Sequence, residues 1–213
     1  MKNIRFLLLM VVAVLMGACD KNDDPIPTPP VEKTEMTVMA YFVADNNLDQ
    51  YLKQNITMMC EGLVKINKPA TLLVYWDGKA GSTYWSEPCI LKYVTDGEGR
   101  LNGQDLNLKT AGGSYDTKLW DAAEVIPTEF TASTEKESMA GVLKQMLALS
   151  PSSDYYGLVA GSHGSGWLKY ITGSNSRSFG QDGALTNTIS TADMAEAVAA
   201  MGKKLDFFFL MPV

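Results

Sequence analysis

The sequence predicts an α/β domain built on a mostly parallel sheet. Met36–Ala44 and Ala70–Trp76 are almost unbroken apolar runs of strand length, and a helical pattern lies between them. A strand, a helix and a strand within about forty residues form a βαβ unit, whose strands pair in parallel through a right-handed crossover. A third strand pattern, Tyr155–Gly161, follows a second helical pattern. Continuous apolar strands of this kind are buried on both faces, as in a sheet covered by helices.

Periodicity and turn residues predict the other elements. Asp45-Asn46-Asn47 is expected to form a turn and an N-cap for a helix from Leu48 to Leu63, which Gly62 and Asn67-Lys68-Pro69 stop. Thr134-Glu135-Lys136-Glu137 resembles a capping box. The remaining segments are an extended piece at Trp85–Thr95, a hairpin and surface loop at residues 96–116, and a helix at Thr134–Leu149.

Composition limits the classes of protein that this chain can be. The 213 residues include 18 basic and 24 acidic side chains, one His and three Cys, and 46% are apolar. This apolar content suits one globular domain and excludes a disordered chain. A pI near 4.8 argues against nucleic acid as a partner, because an acidic surface repels polyphosphate. One His excludes a multi-His metal site, and Cys19, Cys60 and Cys89 fit no zinc ribbon.

The amino-terminal residues predict export. Lys2 and Arg5 precede an apolar run, Phe6–Met16, which is too short to cross ~30 Å of hydrocarbon as a helix. Residues 1–18 are therefore predicted to be a signal peptide. Met16-Gly17-Ala18-Cys19 resembles a bacterial lipobox, which predicts a lipid on Cys19 and anchoring to the outer membrane of the cell envelope, facing the periplasm or the cell surface. An ordinary cleavage site before an incidental Cys is the alternative.

Residues 19–35 are predicted to be a tether between the lipid and a domain at residues 36–213. Asp20–Thr34 holds four of the nine prolines and few apolar side chains, so burial cannot offset its ordering entropy. The acidic run Asp20–Asp24 resembles the surface-export signals of Bacteroidetes lipoproteins. The alternative is that this acidic run is only a solvated part of the tether, with no function in export.

The most informative segment follows the strand pattern Tyr155–Gly161. It reads Ser162-His163-Gly164-Ser165-Gly166-Trp167. Reactive groups in open α/β sheets gather just past the carboxyl ends of strands. This position makes the segment a candidate active-site loop, although His163 could also be a plain polar loop residue.

Three chemistries could use this loop. Ala160–Gly164 approximates the nucleophile elbow of a serine hydrolase, but no His lies beyond position 163 to act as its base. A phosphate loop needs Gly-Lys-[Ser/Thr] and a following helix, which the sequence does not have here. A cysteine peptidase would use His163 as general base and the Gly164 N–H as an oxyanion donor, with a thiol from the next strand.

The third interpretation is supported by a resemblance. A strand that ends in His-Gly-x-Gly-Trp resembles the clostripain family of cysteine peptidases, whose caspase-like fold is a three-layer α/β/α sandwich. Ala40–Leu48 is similar to the family's first strand and Asp-Asn-x-Leu turn, and Trp76-Asp77-Gly78 resembles its second-strand ending. Arg177–Asp182 and the helix Ser190–Met201 follow in the family's order. The resemblance covers roughly residues 36–210.

The resemblance implies an endopeptidase that cleaves peptide or protein substrates after Arg or Lys through a Cys–His dyad. His163 is then the general base and Gly164 the oxyanion donor. The family's next strand leads into Asp-Ala-Cys, whereas Leu205–Leu210 here leads into Met211-Pro212-Val213. We therefore expect a domain that is incomplete at its C-terminal side and inactive alone. A surface lipoprotein that binds peptide or protein partners without catalysis is the alternative.

Cofactors and the other thiols add little to this expectation. No cofactor or metal is expected, and a Ca²⁺ requirement follows only from the family resemblance. Cys60 is predicted to be an inert core thiol, and Cys89 precedes His163 in sequence, so neither is expected to replace the nucleophile. A Cys60–Cys89 disulfide is permitted in an oxidising periplasm. Tyr41, Trp76 and Phe179 are explained by core packing alone.

Overall fold

The computed structural model describes residues 33–82, 84–104, 117–164, 178–183 and 187–212. All of them belong to the unit Glu32–Val213. The predicted signal peptide, Cys19 and nearly all of the predicted tether lie outside the described residues. Among the residues that are described, no helix is long and apolar enough to span a membrane.

The elements alternate between strands and helices along much of the chain. In order they are β1 (Lys33–Ala44), α1 (Asp49–Lys65), β2 (Ala70–Gly78), β3 (Cys89–Thr95), α2 (Thr117–Asp121), β4 (Glu124–Pro127), α3 (Lys136–Leu149), β5 (Ser152–Ser162), β6 (Ser178–Phe179), β7 (Ile189–Ser190), α4 (Thr191–Ala200) and β8 (Phe207–Pro212). The main sheet has the order β4-β3-β2-β1-β5-β8, and β6 pairs with β7. β2, β1, β5 and β8 are parallel, and β3 is antiparallel both to β2 and to β4. The prediction of a mostly parallel α/β sheet is confirmed.

The sheet separates two apolar cores. Phe42 and Trp76 pack on one face with the buried side of α1, and Tyr41 and Tyr75 pack on the other with α3 and α4. All four aromatic side chains are fully buried. Alternate residues of β1 and β2 therefore supply opposite cores, as the two-residue period of a strand requires. Helices cover both faces, which gives the three-layer sandwich.

Tertiary contacts move several boundaries away from their predicted positions. β1 begins at Lys33 rather than Met36, because the hydroxyls of Thr34 and Thr37 both lie 2.7 Å from the Ser153 hydroxyl on β5. Gly62 lies inside α1 and does not stop it, since Leu63 is buried in the core. Tertiary contacts thus override local preference in both cases. A polar residue joins a strand when a neighbouring strand bonds its hydroxyl, and a glycine stays within a helix when the next residue is buried in the core.

The predicted helix starts and one predicted strand also need correction. α1 begins after Leu48, whose N–H donates to the Asn46 side-chain oxygen at 2.8 Å, so Asn46 forms an Asx turn rather than the N-cap. α3 begins at Lys136 without a side-chain cap, so the predicted capping box is wrong. Trp85 has φ +52° and interrupts the expected extended piece, and β3 starts at Cys89.

Gly78 marks a close approach of the chain to the end of β2. A Cβ on Gly78 would lie 2.7 Å from the Trp85 carbonyl oxygen and 2.1 Å from the Trp76 ring nitrogen. A Cβ on Gly62, by contrast, would meet nothing within 4 Å.

These two glycines make a matched pair of tests. Gly78→Ala should lower the free energy of unfolding by about 1–3 kcal/mol, because the backbone of Trp85 must move. Gly62→Ala should raise it by about 0.5–1 kcal/mol, because Ala favours the helix. Urea denaturation measures both values. Equal effects of the two substitutions would contradict this account of the loop at Trp85.

Candidate active site

The carboxyl ends of four parallel strands meet at one edge of the sheet. Phe42 on β1 pairs with Gly161 on β5, and Ser162 on β5 pairs with Pro212 on β8. Strand ends at this edge of a parallel sheet place their loops side by side. The segment after β5, which carries His163, therefore lies between the ends of β1 and β8.

A closed set of hydrogen bonds ties three segments together at this edge. The Ser162 hydroxyl donates to the Val43 carbonyl at 2.8 Å and accepts from the Gln181 N–H at 3.2 Å. The Asn46 side-chain amide donates to the same Val43 carbonyl at 3.0 Å and to the Gln181 carbonyl at 2.8 Å. Ser162 is fully buried, so it serves as a structural link and is not available as a nucleophile.

His163 is fixed at its backbone and contacts one neighbouring side chain. Its carbonyl accepts the Gly180 N–H at 2.9 Å, and Gly164 forms a single β-bridge with Phe179. The His163 Nε2 atom lies 2.6 Å from the Asn47 side-chain oxygen, and the imidazole is only partly buried. The structure thus brings His163 and Gly164 together at the sheet edge, while Ser165, Gly166 and Trp167 lie outside the described residues.

The segment after β6 depends on glycine for its path. Gly180 has φ +82°, and a Cβ there would lie 2.9 Å from a Thr134 methyl group. The Gly183 N–H donates to the Asp45 carbonyl at 2.9 Å. These contacts hold the segment against the end of β1 and leave Asp182 beside Asp45.

Three carboxyl groups lie close enough at this edge to repel one another. Burial raises the pKa of Asp77 to about 7, with a smaller opposing effect from the Ser133 hydroxyl and further increases from Asp182 and Asp45. Burial also raises the pKa of Asp182, and the neighbouring charge of Asp45 adds to the increase. Ser133 is fully buried, and its carbonyl accepts the Tyr41 hydroxyl at 2.7 Å. Asp45, Asp77 and Asp182 thus form a cluster of mutually repelling carboxyl groups at this edge.

Neither a metal centre nor a reactive thiol is found in the parts of the chain that the structure describes. No group of three or more His, Cys, Asp or Glu side chains there is arranged to hold a metal ion. Cys60 and Cys89 are free and buried, so they form no disulfide with each other. Burial raises the pKa of the Cys89 thiol to about 12 and that of Cys60 further still. The prediction that Cys60 is a core thiol is confirmed, and neither group is a thiolate near neutral pH.

The raised pKa of Asp77 predicts a pH-dependent cost to stability. Asp77 ionises near 3.8 when it is unfolded and near 7 in the native state, so the native state binds more protons between these values. The contribution of Asp77 to stability should therefore fall as the pH rises from 4 to 8. Asp77→Asn removes this loss, and its unfolding free energy relative to the parent chain should increase by about 3–4 kcal/mol over that range.

Urea denaturation of both proteins at pH 4 and pH 8 measures this change. Asp121→Asn, at an exposed position on α2, is the control and should show the same difference from the parent at both pH values. An Asp77→Asn difference that does not vary with pH would show that Asp77 is ionised at low cost in the native state.

One comparison with a solved structure agrees with this architecture. A secreted C11 cysteine protease from Bacteroides thetaiotaomicron, solved with an irreversible peptide inhibitor, has 24% identity and a TM-score of 0.55 over 83% of this chain and 42% of its own. Iotapain, a secreted C11 protease from the same species, has 15% identity and a TM-score of 0.49 over 84% and 46%. A Bacteroides fragilis cysteine protease has 22% identity and a TM-score of 0.42 over 66% and 98%.

The chain thus spans less than half the length of the first two solved structures. No curated protein sequence matches it significantly. The model of the clostripain family, peptidase family C11, matches residues 40–210, which is most of the chain. This chain therefore belongs to the clostripain family of cysteine peptidases.

Proposed function

We propose that this chain carries the His-bearing part of a cysteine endopeptidase, with His163 as the general base of a Cys–His dyad. The observation that supports this role most strongly is the register of β5 and β8, which pairs Ser162 with Pro212. Neighbouring strands lie about 4.8 Å apart, so a residue that directly follows Pro212 in an extended backbone comes beside His163. A thiol at that point is within reach of the imidazole, as nucleophilic catalysis requires.

The proposed chemistry is acyl transfer through a thioester. His163 takes the thiol proton as the sulfur attacks the scissile carbonyl, and then gives that proton to the leaving amine. The Gly164 N–H is the proposed donor to the oxyanion that forms during attack. In this chain β8 ends with Met211 and Pro212, and Val213 follows in the sequence, so we propose that none of these three residues supplies the thiol of the dyad.

We propose that the substrate residue before the scissile bond is Arg or Lys. The support is the carboxyl cluster of Asp45, Asp77 and Asp182, whose charges repel one another in partly desolvated surroundings. A guanidinium or ammonium group placed there offsets this repulsion. Because bound cations favour the ionised carboxyls, the affinity for a basic side chain should increase as the pH rises through about 7.

A second candidate function is peptide binding without cleavage. It is favoured by the carboxyl cluster of Asp45, Asp77 and Asp182, because a positive charge can bind to carboxylates without any nucleophile. The same carboxyl cluster would then hold a basic peptide or a protein partner at the sheet edge.

We further propose that the protein is exported and anchored at the cell envelope through lipid on Cys19. The support is the signal-peptide pattern of residues 1–18 and the lipobox-like Met16–Cys19. Two of the similar solved structures are of secreted proteases. A lipid anchor would place the domain, and therefore any substrate that it meets, outside the cytoplasm.

A thiol restored beside His163 tests the proposed dyad. The chain with Met211→Asp, Pro212→Ala and Val213→Cys should be alkylated by iodoacetamide about tenfold faster at pH 7 than the same chain with His163→Ala, because the imidazole stabilises the thiolate. Mass spectrometry of the C-terminal peptide follows this site separately from Cys60 and Cys89. Equal alkylation rates would contradict the role of His163.

Peptide binding tests the proposed basic specificity. A fluorescent peptide with one Arg should bind more tightly than the same peptide with citrulline, which has nearly the same shape and no charge. Asp182→Asn should weaken Arg binding several-fold, whereas Asp121→Asn should leave it unchanged. Fluorescence anisotropy at pH 6 and pH 8 gives the affinities. Equal binding of the two peptides would exclude the carboxyl cluster as a cation site.

A further inference from the structure

We propose that Asn47 is a positioning residue that holds the His163 ring in one orientation and in the tautomer with its proton on Nε2. This inference rests on the proposed role of His163 as general base. The His163 Nε2 atom lies 2.6 Å from the Asn47 side-chain oxygen. Asn47 lies in the turn after β1, far from His163 in sequence, and the motif that singled out His163 gives it no role.

The chemistry of the two groups fixes the direction of this hydrogen bond. An amide oxygen has lone pairs and no proton, so it only accepts. With the Asn47 oxygen facing the ring, the Nε2 atom of His163 carries the proton and donates it to Asn47 in the proposed arrangement. A neutral imidazole has a single N–H, which leaves the lone pair on Nδ1. Asn47 thus determines which nitrogen of His163 is free to accept the thiol proton.

The side of the contact that carries Asn47 is held rigidly. Asn46, directly before it, donates to the Val43 and Gln181 carbonyls and accepts the Leu48 N–H at 2.8 Å. Leu48, directly after it, is buried with 5% of its surface exposed. Asn47 is exposed, but its backbone lies between two anchored residues. Its side-chain oxygen is therefore placed by the turn rather than by its own burial.

The side of the contact that carries His163 is anchored to the same strand end. Ser162, directly before it, donates to the Val43 carbonyl, and the His163 carbonyl accepts the Gly180 N–H. Both partners of the His163–Asn47 hydrogen bond thus follow residues that bind the same oxygen atom of β1. Such shared anchoring limits their relative motion and keeps the imidazole oriented before a substrate binds.

A neutral amide suits this position better than a carboxylate. Asp45, two residues before Asn47, already contributes a negative charge to the cluster with Asp77 and Asp182. A further carboxylate in contact with the ring would stabilise the imidazolium, which has no lone pair to accept a proton. An amide oxygen orients the ring without adding charge.

The single histidine makes the test specific, since every imidazole signal of the chain belongs to His163. Long-range proton–nitrogen NMR spectra of the full chain labelled with ¹⁵N-histidine, recorded at pH 8.5, distinguish the two tautomers. We expect the parent chain to show one fixed tautomer with the proton on Nε2. Asn47→Ala should give averaged signals from exchange between both tautomers, whereas Asn47→Asp, which keeps an acceptor oxygen, should restore the fixed pattern.

A matched control and a second readout separate this proposal from the proposed function. Asn67→Ala, at an exposed turn position, should leave the spectrum unchanged. Averaged tautomers in the parent chain, or a fixed Nε2–H pattern in Asn47→Ala, would overturn the positioning role of Asn47. The two proposals can also fail separately. If the fixed tautomer depends on Asn47 but the alkylation rate of the introduced thiol does not depend on His163, the positioning role of Asn47 is supported and the proposed dyad is overturned.

Discussion

The Val43 carbonyl oxygen is the atom on which the geometry of the candidate site depends. β1 pairs with β5 as far as Phe42 and Gly161, so the next carbonyl of β1 faces the place where the two strands part. There it accepts the Ser162 hydroxyl and the Asn46 amide. Because His163 follows Ser162 and Asn47 follows Asn46, one backbone oxygen sets the distance between the proposed base and the residue that orients it. A partly buried network whose members bond to one another specifies one arrangement more strongly than its separate bonds would.

The carboxyl cluster shows the cost of placing charge at the same edge. Asp77 is the last residue but one of β2 and keeps only 5% of its surface exposed. Burial raises the pKa of this carboxyl, so its ionisation near neutral pH destabilises the native state. An apolar residue at this position would not have this cost. Functional sites are the places where such local conflict is expected. The buried hydroxyl of Ser133 reduces the penalty for both Asp77 and Asp182 without removing it.

Much of the central fold could be predicted from the sequence, because apolar period and turn residues act locally. β1, α1, β2, α3 and β5 lie close to their predicted positions. Three of the four residues of β4 are exposed, so burial does not explain this strand. It forms because β3 offers backbone hydrogen bonds along its free side. Lys33–Glu35 extend β1 for a similar reason, through pairing with Ser152 and Ser153.

Only part of the candidate site could be predicted, because sequence patterns report local structure and not contacts between distant segments. His163 and Gly164 stand in a short motif at a strand end, which a sequence pattern reveals. Asn47 lies in the turn after β1 and Asp77 lies near the end of β2, and neither position stands out in the sequence. Their roles depend on contacts with segments more than fifty residues away, such as those of His163 and Asp182. Asp182 gains its place from the path of Gly180 and Gly183, whose positive φ angles suit glycine. No local signal carries such information.

The two sides of the proposed dyad are supported unequally. The side with His163 is anchored to β1 and to the segment after β6. In the described part of the chain β8 is the outermost strand of the sheet and pairs only with β5. Phe207 packs its ring over Gly157, where a Cβ would lie only 1.9 Å from the ring. Phe208, Phe209 and Leu210 remain 40–58% exposed. An exposed apolar edge strand is prone to pair with other chains. The place proposed for the thiol is therefore fixed only by the pairing of β8 with β5. A further element that covered β8 would stabilise both the fold and the geometry of the proposed dyad.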